Sequence, residues 1–261
     1  MDYYDDPDFS YPAFWKGREY EHRAELFALQ KLLRDNRFTT TADIGGGFGR
    51  LAVFLSRRSQ HLVLVEPAAF QRTLAASFVS DQVVIKEGSS DQTGIQTKSC
   101  DLVVMVRVMH HLPMPEHTIS ELWRILKPNG LLILEFANAS NFKSRARNLF
   151  RRLPQSPVDK STTDDDVPFV NHHPVAVQKL LRDEGFVILE KLSVSNFRSP
   201  FLKKITPLKV LLVLEQAIQK PLGFINFGPS IFILARRPTT LRTAGLLRAG
   251  KGEFVNQHPL V

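Results

Sequence analysis

Two carboxylates, a run of glycines and a pair of histidines are the groups in this sequence whose types and spacing suit chemistry. In residues 41–50, TADIGGGFGR, Asp43 stands two places before Gly45, and Gly46, Gly47 and Gly49 bring the total to four glycines in five residues. Glycine permits positive φ and carries no Cβ, so such a loop lets backbone approach a ligand closely. The residues that follow, from Arg50 through LAVFLSRR, read as a helix. That places the loop at a helix N-terminus, where unpaired N–H groups favour a carboxylate or a phosphate. A second carboxylate, Glu66, closes the apolar run HLVLVE, and Arg107, His110 and His111 follow the apolar run that begins at Asp101. Histidine titrates near neutrality, which makes either His110 or His111 a candidate general base.

These groups must be held by regular elements, and the hydrophobic pattern supplies them. Short apolar runs predict strands ending at Ile44, at Glu66 before the strand-stopping Pro67, over 82–86, after Asp101, and over 130–138. Helical spacing predicts helices over 19–34, 68–79 and 115–127, the last with Ile119, Leu122, Trp123 and Leu126 on one face and the Pro128-Asn129-Gly130 turn ending it. A helix over 174–185, a strand over 186–193, a mostly helical apolar stretch over 200–218 and a final strand from Ser230 complete the pattern. Alternation of this kind argues for a parallel sheet with helices on both faces.

The pattern D-x-G-x-G-x-G, here Asp43, Gly45, Gly47 and Gly49, resembles motif I of the class I S-adenosylmethionine (SAM) methyltransferases. A dinucleotide fingerprint would need glycine where Arg50 stands, which disfavours a nicotinamide dehydrogenase. Glu66 falls about 20 residues past the loop, as the family expects of an acidic residue. RVMHHL, LKPNGLLIL and the HP followed by LLRDEGF are also similar to family phrases, and the chain looks methyltransferase-11-like. The resemblance implies a Rossmann-like, seven-stranded, mostly parallel sheet with helices on both faces and an antiparallel last strand. It implies SAM as cofactor, with Asp43 facing the methionyl amino group and Glu66 the ribose hydroxyls. Its implied cofactor-binding set is Asp43, Gly45, Gly46, Gly47, Gly49, Glu66, Pro67, Ser90, Asp91 and Arg107. At the adenine loop Gly88 is followed by Ser89, Ser90 and Asp91, so the family's carboxylate is displaced. Arg107, His110 and His111 are expected near the methyl group, and Trp15, Arg18 and Tyr20 are lid candidates. The implied reaction is SN2 transfer to a small-molecule, lipid or glycan-lipid acceptor. The competing readings are a catalytically silent SAM-binding or partner-binding domain and a methyltransferase acting on RNA or protein. No residue pattern asks for a metal.

Composition bounds the rest. The 261 residues are 43% hydrophobic, enough for one full core with an elaboration. The chain divides into an aromatic strap and helix (1–36), a SAM-binding core (37–138), an insertion poor in strand or long-helix signal and expected as a substrate cap (139–171), the C-terminal part of the sheet (172–237), and a basic tail expected to be flexible (238–261). One cysteine, Cys100, excludes an internal disulfide or a CxxC metal site, and with no visible secretory signal a cytoplasmic location is expected. The net charge of +8 is concentrated in residues 143–152 and in the tail. Such segments suit peripheral contact with an anionic membrane and, less favoured, nucleic acid. The longest apolar stretch, around 208–218, is interrupted by Lys209 and Glu215 and is too short to cross a bilayer, though long enough to lie on one.

Overall fold

The computed structural model describes residues 15–141, 158–162 and 168–239. The strap ahead of Trp15, the basic segment 143–152, Asp164 to Asp166 and the tail from residue 240 lie outside them. Seven strands form one sheet in the order β3-β2-β1-β4-β5-β9-β8. They are β1 (Phe38–Ile44), β2 (Ser59–Glu66), β3 (Val83–Glu87), β4 (Cys100–Met105), β5 (Leu126–Ala137), β8 (Val187–Val194) and β9 (Ser230–Arg236). β1 to β5 pair in parallel, and β9 runs antiparallel to both β5 and β8.

The centre of the sheet is buried on both faces, and the sequence says so before the packing does. In β4 the run Leu102, Val103, Val104, Met105 is fully buried, its side chains alternating between two separate apolar clusters. One face is covered by α1 (Glu19–Leu33), α2 (Ala52–Ser56), α3 (Ala69–Phe78) and α7 (Leu208–Phe224). The other is covered by α4 (Glu116–Ile125) and α5 (Pro174–Glu184). α5 shows the local logic well: Pro174 occupies its first turn, the imidazole of His173 accepts from the Val175 N–H, and Gly185 ends it at φ 110°.

Two expectations give way. The apolar stretch from Pro200 forms two helices, α6 (Pro200–Ile205) and α7, because Pro207 holds Thr206 in extended backbone at φ −119°, ψ 129°. The insertion contains strand where the pattern gave little signal: β6 (Val158–Thr162) and β7 (Pro168–His172) pair as an antiparallel ribbon, and a bridge from Asn138 to His172 ties β7 to the end of β5.

Candidate active site

The carboxyl ends of β1, β2, β4 and β5 converge on one edge, the edge at which open α/β sheets take their ligands. β1 and β2 run in register from Thr40 opposite His61 to Ile44 opposite Val65, so Asp43 and Glu66 reach this edge on neighbouring strands. The glycine loop then folds back on β2. The N–H groups of Gly45 and Gly46 both donate to the Val65 carbonyl, and Gly47 N–H donates to Glu66 Oε2 at 2.9 Å. The other oxygen, Oε1, accepts from Ala68 N–H at 3.0 Å. The two donors clamp the carboxylate at the end of β2.

Glycine is required here for two reasons. Gly45, Gly47 and Gly49 have φ of 67°, 55° and 85°, where side chains are strained. A Cβ would also fall 2.3 Å from Val108 at Gly45 and 2.4 Å from Val79 at Gly49. The loop is therefore glycine-rich for packing as well as for ligand approach. Asp43 is 2% exposed, and its Oδ2 is buried without a hydrogen-bond partner among the described residues. Burial is the main cause that raises its pKa to about 7, with Glu66 adding to the effect and Arg50 opposing it. An unpaired buried carboxylate oxygen beside a glycine loop is poised to receive an N–H or ammonium donor.

α1 lies over this loop through one residue that the sequence reading passed over. Glu25 accepts from Arg50 Nη2 at 2.6 Å through Oε2, and from Arg107 Nε and Nη2 at 2.8 and 2.6 Å through Oε1. Burial pushes its carboxyl up, but the two guanidiniums together hold it below its ordinary value. Trp15 stacks beneath the Arg50 guanidinium at 3.9 Å from its ring centre. Of the lid candidates, Trp15 thus sits against the glycine loop. Tyr20 does not belong to a lid: it is 2% exposed, its hydroxyl donates to Glu215 at 2.6 Å and accepts from Phe197 N–H at 2.9 Å, and it joins α1 to α7.

After β4 the chain turns through Arg107 at φ 66°, and Arg107 N–H donates to the buried Glu135 of β5 at 2.8 Å. Ser230 completes that corner by donating to Glu135 Oε1. The Arg107 side chain is directed at α1 rather than at open solvent. His110 and His111 form a short 3₁₀ turn with ring centres 4.0 Å apart, His110 buried and His111 half-buried. Burial, then His111, Arg107 and His172, holds the His110 imidazole well below its ordinary pKa, so it is neutral at physiological pH. His172, a second residue missed as part of this corner, lies on β7 and bonds through Nε2 to the Met109 carbonyl at 2.8 Å. On the adenine-loop side, Ser90 Oγ is 2.9 Å from Thr118 Oγ1, Asp91 is exposed and accepts from Ser89 Oγ at 2.6 Å, and Pro67 is exposed at the turn after β2.

Beside this corner opens a cleft of about 560 Å³ between α1, α6, α7 and the turn before β9. Its lining mixes Arg18, Arg198 and Lys203 with Phe197, Leu222 and Phe227. Arg198 is exposed, makes no salt bridge among the described residues, and lies in electrostatic reach of Arg107 and Glu135. A concavity of about 630 Å³ lined by Arg34, Asp101 and Gly130 is larger, but it lies at the opposite, amino-terminal ends of the strands. We therefore place the site at the carboxyl edge.

Comparison with known proteins supplies the wider context. Residues 42–134 match the family model described as the methyltransferase domain. The tRNA 5-carboxymethoxyuridine methyltransferase of Escherichia coli (strain K12) is 26% identical over 209 residues, covering 75% of this chain and 79% of that protein. Among solved structures, a chain of the complex between the Haloferax volcanii Trm112 methyltransferase activator and a methyltransferase superposes with a TM-score of 0.62 at 17% identity, covering 91% of this chain and 99% of that one. The S-adenosylmethionine dependent methyltransferase from Mesorhizobium loti gives 0.58 at 13% identity, covering 82% and 98%.

Proposed function

This chain is a class I SAM-dependent methyltransferase, and from that premise we propose that it methylates a small-molecule or lipid acceptor held in the cleft between α1, α6 and α7. The observation that carries the cofactor assignment is the buried, unpartnered Oδ2 of Asp43 beside three positive-φ glycines. SAM, when bound, supplies a methyl group already activated by its sulfonium. In this reading Asp43 receives the cofactor's ammonium, and Glu66, clamped by Gly47 and Ala68, accepts from its ribose hydroxyls.

The chain's own task is then to align the acceptor and exclude water. α1, tied down by Glu25, and Trp15 in the turn ahead of it shield the loop. His110 and its neighbour His111, on the turn that His172 holds, are the groups to accept a proton from an acceptor hydroxyl or ammonium. The mixed lining of the cleft suits an acceptor with an apolar body and an acidic group within reach of Arg18, Arg198 or Lys203.

Transfer to RNA is the second reading, supported by the tRNA-modifying relative and by the net charge of +8. Calorimetric titration with S-adenosylhomocysteine, beside NAD and the Glu66→Ala variant, tests the cofactor site. Micromolar binding that weakens in the variant is expected, and NAD binding in its place would sink the assignment. Labelled SAM offered with lipid extract, small organic acids and tRNA then separates the acceptors. Label in tRNA alone would replace the first reading by the second.

A further inference from the structure

α7 has two apolar faces, and among the described residues only one of them is packed. Leu211, Leu212, Glu215, Gln219 and Gly223 turn inward against α1 and the sheet. The outward stripe is Val210, Val213, Leu214 and Phe224, exposed to 47, 67, 45 and 81%. Their spacing of three, one and ten residues keeps them on one side of a 3.6-residue helix. α6, which precedes α7 by two residues, also leaves Phe201 and Ile205 exposed, to 68 and 59%, and Ile225 follows Phe224 at 47%. Monomeric proteins seldom leave a contiguous apolar surface of this kind without a use for it.

The charges around the patch say what would cover it. Residues 199–225 contain four lysines, Lys203, Lys204, Lys209 and Lys220, and a single acid, Glu215. Glu215 is fully buried, held by Tyr20 and by the N–H groups of Ser195 and Asn196. The outer surface of the two helices therefore presents only positive formal charge of its own. Glu21 partners Lys203 and Glu190 partners Lys220, while Lys204 and Lys209 are exposed without an ion pair among the described residues. Apolar side chains flanked by lysines match an anionic lipid surface, into which an interfacial helix buries its apolar face while its lysines reach phosphate. No helix among the described residues is long and apolar enough to cross a membrane, so α7 would lie in the surface plane.

We infer that the outer face of α6 and α7 docks this protein onto an anionic lipid bilayer. Because Lys203 and Leu222 also line the acceptor cleft, docking brings the mouth of that cleft to the lipid. The docking itself does not depend on methyl transfer.

The test is flotation of the full chain with phosphatidylglycerol-containing vesicles and with pure phosphatidylcholine vesicles. The wild type is compared with Val213→Ser/Phe224→Ser and with Lys204→Glu/Lys209→Glu. All four positions are exposed, so folding should persist, and unchanged circular dichroism and S-adenosylhomocysteine affinity check that it does. Expected is partitioning onto the anionic vesicles that falls at least about tenfold in the apolar variant and more modestly in the charge variant, the latter loss being reproduced by high salt. Failure of the folded wild type to float, or equal flotation of wild type and apolar variant, overturns the inference. So does a self-associated wild type that the apolar variant converts to monomer without any lipid effect, which would assign the face to a second copy of this chain.

Discussion

The proposed cofactor end and the proposed acceptor end of this site are built in opposite ways. At the cofactor end, Asp43, the glycine loop and Glu66 come from 24 consecutive residues, and main-chain N–H groups fix their geometry. At the acceptor end, Arg18, Asn141, Arg198, Lys203, Leu222 and Phe227 arrive from segments scattered over the whole chain. The first is a local motif that any chain of this fold can repeat. The second exists only after tertiary packing. Glu25 and Tyr20 sit between them, both on α1, one gripping the loop and the other gripping α7.

If the two ends are as separable as their construction suggests, substitutions should divide cleanly between them. The largest effect is expected from Gly47→Val, which forces a branched side chain onto φ 55° in the loop. S-adenosylhomocysteine binding should vanish while the circular dichroism spectrum stays native, and retained affinity would break the comparison at its first term. His111→Ala comes next, with a loss of about 10²–10⁴ in turnover and little change in cofactor affinity. If stability and activity fall together, the residue belongs to the fold instead.

Glu25→Gln should cost about 3 kcal/mol of unfolding free energy in urea, since it leaves two partly buried guanidiniums without their carboxylate. It should also weaken cofactor binding by loosening the helix above the loop. Undiminished affinity would detach α1 from the cofactor end. The smallest effect is a pH slope. With its pKa raised to about 7 by burial, Asp43 gains charge as pH rises through that value, so affinity for the ammonium of S-adenosylhomocysteine should rise with pH. The affinity lost should be about tenfold between one unit above and one unit below that pKa. Apo stability carries the opposite sign, because the folded state holds this proton more tightly than the unfolded chain and loses stability between the unfolded carboxyl value and about 7. Titrations and melts on Asp43→Asn should flatten both slopes; a slope that survives belongs to another group.

The asymmetry also explains what could be read from the chain. The parallel strands themselves, the glycine loop and Glu66 follow from periodicity and from residues near one another in sequence, whereas the order of the strands across the sheet comes from the structure. The seven strands and the antiparallel β9 appear as the resemblance implied. Glu25 was legible in principle: with Tyr20, Glu21, Ala24, Ala28 and Leu29 it lies on the buried face of α1, and an acid on a buried face asks for a partner. Its partners, 25 and 82 residues away, were not. The break at Pro207 carried its own signal, whereas the β6–β7 ribbon depends on pairing that composition does not reveal. His172 and His173 stand side by side ahead of α5, and their order alone does not tell which caps it; the structure gives that part to His173 and sends His172 to Met109.

The bond from Tyr20 to Glu215 spans 195 positions, and a second, from Gln219 to the Ala24 carbonyl, spans the same distance. A chain made from its amino end at about 5–20 residues per second therefore exposes α1 for roughly 10 to 40 s before α7 exists to receive it. The glycine loop, β1, β2 and β4 can assemble in that interval. The helix that emerges first can grip the loop early through Glu25, but its other side stays open until α7 arrives, and the pocket has a floor before it has a roof.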